Sequence, residues 1–479
     1  MTPDSSAEPV RPLAAVVLAA GKGTRMNSTL PKVLHRALGR TVLDWVLAAL
    51  APLEPVRTIV VIGHGGDDVR ALLPTRIETV VQEQQLGSGD ALAAAQAALA
   101  DFEGDVLVIN GDGALFTTAT LLAVVDEHRS VGSVASTLAT TSDSGLPYGR
   151  VLQGADGTIE RIVEAPDASP EQLAVRELNA GVYCFDAAML RRSLPNLSTD
   201  NAKGELYITD LFSLAREAGG RTRAVIAGGE DELLGINTRA DLAEAERVLQ
   251  ARIIDALLLA GVTISLPETC VIEPGVRVAP DARIEPGTIL RGNTTIAAGA
   301  VVGPYSVVVD SSIDKGTSVV QSHCVEARVG QDVIVGPYAY LRPGTVMQEG
   351  SKAGAFVELK NTNLGPRAKV PHLSYIGDAE VGSDTNIGAG NITANYRPEL
   401  GAGKQPTRIG SGVRTGSDNV FVAPITIGDG AFTGAGSIIV QDVPAGALAI
   451  ARARQVNLQD YSQRLAQPRP AEPVQADGV

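Results

Sequence analysis

The first stretch of this chain equipped for chemistry is VVLAAGKGTRM, Val16 to Met26, an apolar run that ends in glycines, a lysine, a threonine and an arginine. The run Ala14 to Ala20 predicts a short strand buried on both faces. The glycines after it let backbone N–H groups approach a ligand that a Cβ would hold off, and a phosphate suits such a loop. The stretch lacks the third glycine of a dinucleotide-binding fingerprint and the spacing and Lys-Ser/Thr ending of a Walker A loop. On these residues alone, a strand followed by a plain glycine turn with solvated Lys22 and Arg25 accounts for the pattern equally well. The second candidate is Asp112, in the NGDG of Asn110 to Gly113 that follows another apolar run. In isolation it is equally a turn residue.

Strands must position both. From about residue 12 to 235, runs such as TIVVIG (Thr58 to Gly63) and DVLVING (Asp105 to Gly111) alternate with helical patterns such as TVLDWVLAALAPL. Continuous Val/Ile/Leu strands separated by helices predict a mostly parallel sheet covered on both faces, with ligands at the carboxyl ends of its strands. The glycine loop and Asp112 both follow strands, so one crevice would receive both. Beyond Asn237, TRADLAEAERVLQARIIDALLLAGV predicts one long connecting helix that stops at Gly261.

The period then changes to six. Apolar residues recur at Ile272, Val278, Ile284, Leu290, Ile296, Val302 and Val308, return at Val381 and Ile387, and the same spacing runs through Ile409, Thr415, Phe421, Ile427, Thr433 and Ile439. A hexapeptide repeat predicts a parallel β-helix in which each six-residue unit forms one short side, its aliphatic residue points inward, and three sides close a coil. Regular coils are expected to lapse between about residues 309 and 380 and again at NYRPELGAGKQPTR, and such departures from a solenoid commonly carry function.

Composition bounds the rest. A chain of 479 residues is too long for one ordinary core and suggests two or three domains. Aromatics make up only 4%, against 51 glycines, which favours stacked Val, Ile and Leu around many tight turns. The formal charge of −14 argues against a broad nucleic-acid or membrane surface, so an anionic substrate needs a local basic pocket. Cys184, Cys270 and Cys324 are too widely spaced for a disulfide framework or a CxxC metal site, and read as buried thiols in a reducing compartment. The opening MTPDSSAEPVRPL lacks the regions of a signal peptide and no apolar stretch is long enough to span a bilayer, so a cytoplasmic enzyme is expected. The last segment, QPRPAEPVQADGV, is expected to be unstructured.

A resemblance joins these features. LAAGKGTRMNSTLPKVLH, GHGGD, QEQQLGSGDA, PYGRV, IVEAPDA, ELNAGVY, GELYITD and GINTR, followed in the second half by YLRPGT, GAFVELKN, KVPHLSYIGDAEVG, NIGAG, GSD and VAPITIGDGAFTGAGS, stand in the order found in one family. From about residue 14 to 455 the chain resembles the bifunctional N-acetylglucosamine-1-phosphate uridyltransferase / glucosamine-1-phosphate N-acetyltransferase family. The resemblance implies a Rossmann-like nucleotidyltransferase domain over residues 1–238, a linker helix over 239–262, a left-handed parallel β-helix acetyltransferase domain over 263–455 and a tail over 456–479. It implies a homotrimer with acetylation sites shared between adjacent β-helices. It also implies two reactions toward UDP-N-acetylglucosamine, a bacterial cell-wall precursor: acetyl-CoA acetylates glucosamine 1-phosphate, and the product then couples to UTP with release of pyrophosphate.

Residue roles follow from the same resemblance. For uridyl transfer, the backbone of Leu18, Ala19, Ala20, Gly21 and Gly23 would hold the nucleotide, Arg25 and Lys32 would supply positive charge, and Gln82, Gln85, Gly87 and Ser88 would read the uracil side. Gly149, Glu164, Asn179 and Thr209 would hold the N-acetylglucosamine moiety, and Asp112 with Asn237 would bind Mg²⁺, an ion ordinarily held by one or two such oxygens plus phosphate and water. For acetyl transfer, the amine attacks only when neutral, and a histidine base suits because its pKa lies near neutrality. Of five histidines His372 matches the family's base, with Glu358 orienting it. Arg342, Lys360, Tyr375 and Asn386 would grip the sugar phosphate, Asn395, Tyr396 and Lys404 lie on the loop that reaches the shared site, and Ser417, Ala435 and Arg452 would contact acetyl-CoA.

The chain departs from the family pattern at three places: Asn110 and Ala114 around the metal turn, Asp90 on the nucleotide side, and Arg397-Pro398 in a loop about three residues longer. Two other readings compete: a single-activity sugar-nucleotide pyrophosphorylase whose β-helix only assembles or regulates it, and a non-enzymatic scaffold with a decayed nucleotide site. His372, Arg342, Lys360 and Asn395-Tyr396 argue against the first; Gly21, Arg25, Lys32, Asp112 and Asn237 argue against the second.

Overall fold

The computed structural model describes residues 11–63, 66–143 and 145–466. The chain falls into two compact units, one running up to Leu259 and taking in Val271–Pro274, the other made of Ala260–Cys270 and the chain from Gly275 onward.

In the first unit, seven strands line up in the order Thr222–Ile226, Ala135–Thr141, Glu177–Asp186, Asp105–Asn110, Leu13–Ala19, Arg57–Gly63 and Glu78–Gln82. The pairings are parallel except those of Glu177–Asp186, which runs antiparallel to both neighbours. The central strands are apolar on both faces because two layers cover them: Val16, Val61, Val108, Phe185 and Phe212 pack on one side, and Val17, Val60, Leu107, Val46 and Val124 on the other. Helix Val42–Leu50 begins where Thr41 accepts from the Asp44 amide at 3.0 Å and Asp44 accepts from the Thr41 amide at 3.1 Å, a reciprocal cap. The long helix spans Arg239–Leu259 with the same kind of cap between Thr238 and Asp241, and buries Ala245 and Leu249 against Leu38, Val42 and Ile236.

At the end of the sheet away from the loops, Asp105 is fully buried with Arg129 at 2.7 Å and His128 at 3.8 Å. Burial pushes His128 from its ordinary 6.5 down to about 4. The folded chain therefore keeps it neutral while the unfolded chain protonates it, so its contribution to stability is complete above pH 6.5 and is lost as pH falls toward 4. The loss is expected to reach about 3 kcal/mol. Urea unfolding followed from pH 7 to 4 is expected to show this fall, and to show a shallower one in His128→Gln; equal slopes would remove His128 as its source.

The second unit is a parallel β-helix. One face stacks Thr263–Ile264, Arg283–Ile284, Val301–Val302, Ser318–Val319, Ile334–Val335, Lys352–Ala355 and Lys369–His372, and the other two faces lie in one wrapped 17-stranded sheet. Inward residues stack on their equivalents one coil on, as Ile284 on Val302 and Leu290 on Val308. The expected lapse from 309 to 380 does not occur. Ile313, Val319, Cys324, Val329, Val335, Leu341 and Met347 continue the buried column. The strict six is lost because some corners are one residue shorter: Val308 stacks on Cys324 and Ile313 on Val329, whereas Val335 stacks on Ala353. A shortened corner shifts the phase of the sequence pattern and leaves the strands in place. The second expected departure is real, for Asn395 to Pro406 is an excursion between the strands Ile392–Ala394 and Thr407–Ile409.

All three cysteines are free and buried, as their spacing suggested. Burial pushes the Cys324 thiol up to about 12, away from reactivity. Tyr461–Ala466 form a short exposed helix, and the tail segment Gln467 to Val479 lies outside the described residues.

Candidate active sites

The parallel register sets the first site. Leu18 is the partner of both Val61 and Asn110, and the Gly111 amide donates to the Leu18 carbonyl at 2.9 Å, so the glycine loop and NGDG leave the sheet side by side. Ala19, Ala20, Gly21, Lys22 and Gln85 line a cavity of about 550 Å³ on one side. Gln85 Nε2 donates to the Ala20 carbonyl at 2.5 Å, closing the loop's far wall. Gly23 has φ +60, and a Cβ there would lie 2.7 Å from Lys32 Cβ; the glycine is what lets Lys32 come in.

Lys32 is the centre of this site. Its Nζ donates to Asp112 Oδ2 at 2.5 Å and to Asn237 Oδ1 at 3.1 Å, and Arg25 Nη2 donates to the same Asn237 oxygen at 2.9 Å. Both Arg25 and Lys22 are exposed, but Arg25 is tied to the site through Asn237. Asn237 is held by its own neighbours: its amide N–H donates to Asp241 Oδ2 at 3.0 Å and its Nδ2 to the Gly235 carbonyl at 3.0 Å. A carboxylate oxygen and a carboxamide oxygen converge on one cationic point, a hard-oxygen pair that fits Mg²⁺. Ala114 is buried beside Leu115, Val42 and Ile236, so the turn after Asp112 is fixed by packing.

A second cavity of about 260 Å³ adjoins Asp112 and is lined by Ser88, Asn110, Gly149, Glu164, Asn179 and Asn237 among others. Thr209 Oγ1 donates to Glu164 Oε1 at 3.1 Å, and burial raises the Glu164 carboxyl above its ordinary value. Asn179 is clamped, accepting from Thr137 Oγ1 at 3.0 Å and donating to the Tyr183 hydroxyl at 2.8 Å. Gly87 has φ +115 with Leu206 O only 2.6 Å from where a Cβ would sit. Ser88 Oγ accepts from the Ile208 amide at 3.1 Å, which sets the position of Thr209 next to it. Asp90 accepts from Gln82 Nε2 at 2.7 Å, so its carboxylate is turned onto a protein donor and Gln82 has its amide nitrogen committed. Tyr148 and Gly181 also line this cavity and escaped the sequence reading. PYGRV and ELNAGVY, already singled out as motifs, contained them.

In the second unit the chemistry gathers around one corner of the β-helix. Leu373 donates to Ala355 O, Gly390 to His372 O, Asp418 to Ala389 O and Gly436 to Ser417 O, so His372, Ala389, Ser417 and Ala435 stack on successive coils. His372, Ser417 and Ala435, assigned to base and acyl donor, fall in one column, and Ala389 joins them unforeseen. Behind it, Ser374 Oγ donates to the His372 carbonyl at 2.7 Å, and Asn391 and Asn419 donate from inside to Gly416 O, each at 2.9 Å.

On the adjoining face, Arg342 stacks beside Lys360 and Glu358 on Tyr375. Glu358 was expected to orient His372; its carboxylate instead accepts from Arg342 Nη1 at 2.7 Å, because the register puts that guanidinium one coil away on the same face. Asn386 sits between Lys369 and Arg414 in parallel bridges. The Asn395–Pro406 excursion closes on itself: Tyr396 and Lys404 form an antiparallel bridge, and Lys404 Nζ lies 4.1 Å from the Tyr396 ring centroid. Arg397 donates to Glu399 and, at 3.1 Å, to Ala423 O, which fastens the longer loop back to the coil. Arg452 is exposed beyond the last coil.

A glycine loop beside a converging carboxylate and carboxamide, on a mostly parallel sheet, followed by a hexapeptide β-helix with its own polar corner, is the architecture of a nucleotidyltransferase joined to an acyltransferase. The MobA-like NTP transferase domain family matches residues 15–204. Proteins named bifunctional protein GlmU are similar over both halves: that of Corynebacterium aurimucosum is 44% identical over 420 residues, 86% of each chain. The one from Streptomyces coelicolor is 45% identical over 422 residues, 87% of each, and that of Nocardia farcinica 45% over 423 residues, 86% of this chain and 85% of its own. The chain belongs to the bifunctional GlmU family. It is a two-activity transferase of UDP-N-acetylglucosamine biosynthesis that works on small-molecule, nucleotide-sugar substrates. Among the described residues no helix is long and apolar enough to cross a membrane.

Proposed function

We propose that the first unit joins N-acetylglucosamine 1-phosphate to UTP with Lys32, Arg25, Asp112 and Asn237, and that the second acetylates glucosamine 1-phosphate from acetyl-CoA with His372 as base. Residues 1–238, 239–262 and 263–455 serve as uridyltransferase, connecting helix and acetyltransferase in this reading. In uridyl transfer a phosphate oxygen of the sugar attacks the α-phosphorus of UTP, and the bond to the departing pyrophosphate breaks in line. Lys32 and Arg25 place positive charge where negative charge gathers, while Gly21 and its neighbours present backbone donors. Asp112 and Asn237 hold Mg²⁺, which when bound adds neutralising charge at the phosphates. Gln82, Gln85, Gly87 and Ser88 face the base, and Gly149, Glu164, Asn179 and Thr209 the acetamido sugar.

In acetyl transfer, His372 takes the proton from the amine, the nitrogen attacks the thioester carbonyl carbon, the C–S bond breaks and CoA leaves. Arg342, Lys360, Tyr375, Asn386 and Lys404 hold the sugar phosphate; Asn395, Tyr396, Ser417, Ala435 and Arg452 meet acetyl-CoA. The chain works as a cytoplasmic homotrimer in this reading. Tyr338 and Phe356, stacked with centroids 5.2 Å apart, and Leu373 beside His372 stay largely exposed in the single chain, a surface suited to a second copy.

The observation that carries the two-site reading is the column of His372, Ser417 and Ala435, since a coil that only assembles a pyrophosphorylase has no need of it. A coupled assay tests it: given glucosamine 1-phosphate, acetyl-CoA, UTP and Mg²⁺, the purified chain is expected to release CoA and then pyrophosphate, the second dependent on the first. Pyrophosphate only from supplied N-acetylglucosamine 1-phosphate, with no CoA, would leave the single-activity reading standing.

A further inference from the structure

One carboxylate beside the acetyl-transfer corner has no role in the scheme above and yet touches both halves of it. Asp378, with 12% of its side chain exposed, accepts from Lys360 Nζ at 3.3 Å through Oδ1 and 3.2 Å through Oδ2. It accepts from Asn395 Nδ2 at 2.6 Å and from Asn361 Nδ2 at 2.8 Å. We propose that Asp378 is a positioning residue that fixes the sugar-phosphate cation Lys360 and the acyl-donor residue Asn395 against one another, so that the two substrates are held in a single geometry. The proposal rests on the reading that Lys360 meets the sugar phosphate and Asn395 the acetyl donor.

The chemistry of each partner says what the carboxylate does. An ammonium has three donors on a flexible stem, and a charged acceptor 3.2 Å away removes most of its freedom while leaving hydrogens for an anion. Asn395 is buried, and its amide nitrogen also donates to the Tyr375 hydroxyl at 3.2 Å. With that nitrogen engaged by Asp378 and Tyr375, the amide is fixed with its carbonyl oxygen as the end left to meet a ligand. A carboxamide in its place would offer one acceptor oxygen instead of two and no charge, so it could not accept from Lys360 and Asn361 on one side and from Asn395 on the other; only a carboxylate serves all three. The excursion from Asn395 to Pro406 begins at this contact, so Asp378 also anchors the stem of the loop carrying Tyr396 and Lys404.

The test is Asp378→Asn in the full-length protein, a change of charge at nearly constant shape, with uridyl transfer on the same chain and thermal unfolding as folding controls. The expected result is a rise of about tenfold in KM for both glucosamine 1-phosphate and acetyl-CoA, with uridyl transfer unaltered. Lys360→Met is expected to raise KM for the sugar phosphate alone and Asn395→Ala that for acetyl-CoA alone. Adding Asp378→Asn to Lys360→Met is expected to worsen the sugar-phosphate KM no further, which a merely structural residue would not do. If the single variants act as stated but Asp378→Asn moves neither KM, or only one, the positioning role is overturned. If Lys360→Met and Asn395→Ala are themselves silent, the assignment of substrates to those residues has failed, and the link through Asp378 with it.

Discussion

Replacing His372 by alanine is expected to lower acetyl transfer by roughly 10²- to 10⁴-fold, the range contributed by a positioned base, while uridyl transfer proceeds at its normal rate. The independence follows from the architecture, because His372 is carried by a β-helix strand, Lys369–His372, whereas the glycine loop, Lys32 and Asp112 are carried by the first unit's sheet. The ring contributes little to packing: the segment is held by the Ser374 hydroxyl on the His372 carbonyl and by Gly390 N–H on the same oxygen, both backbone contacts that alanine keeps. The measurement is initial-rate release of CoA and of pyrophosphate by the same preparation, each with its own sugar phosphate. Raising the pH should recover part of the loss, since more of the amine is then neutral without a base. Loss of both activities would contradict two separate sites.

Asp112→Ala is expected to do the reverse, with uridyl transfer falling by about three orders of magnitude and acetyl transfer unchanged. In the proposed reading, removing the carboxylate takes one of two oxygen ligands from the metal, and it also leaves Lys32 without its 2.5 Å partner. The ammonium retains Asn237 Oδ1 at 3.1 Å, so the fold around it is expected to persist. Direct titration of the variant with Mn²⁺ as a paramagnetic stand-in for Mg²⁺ separates the two effects: affinity at this site should drop even with no nucleotide present. Unchanged metal affinity together with unchanged Mg²⁺ dependence would remove Asp112 from the metal site.

Much of this is legible in the chain alone. The period of six belongs to each coil by itself, as one inward residue per side, and so it survives in the bare sequence wherever corners keep their length. The buried strand and glycine loop were legible for the same reason, since burial of Val16, Val17 and their neighbours is written in consecutive residues. The five-residue sides that interrupt the period between Val308 and Val329 were not legible as β-helix, because a one-residue deletion at a turn leaves the inward column intact and destroys the arithmetic.

The sequence by itself determined the two architectures, their order along the chain, and the residue types that crowd each site. Only the tertiary structure decided which of those residues meet. Lys32 reaches Asp112 across 80 residues and Asn237 across 205, Glu358 takes Arg342 rather than His372, and Asp378 gathers Lys360 and Asn395. Period and polarity are properties of neighbours in the chain. Hydrogen-bond partnership depends on register between strands and on which coil stacks on which, and both are settled only when the cores on either side have packed.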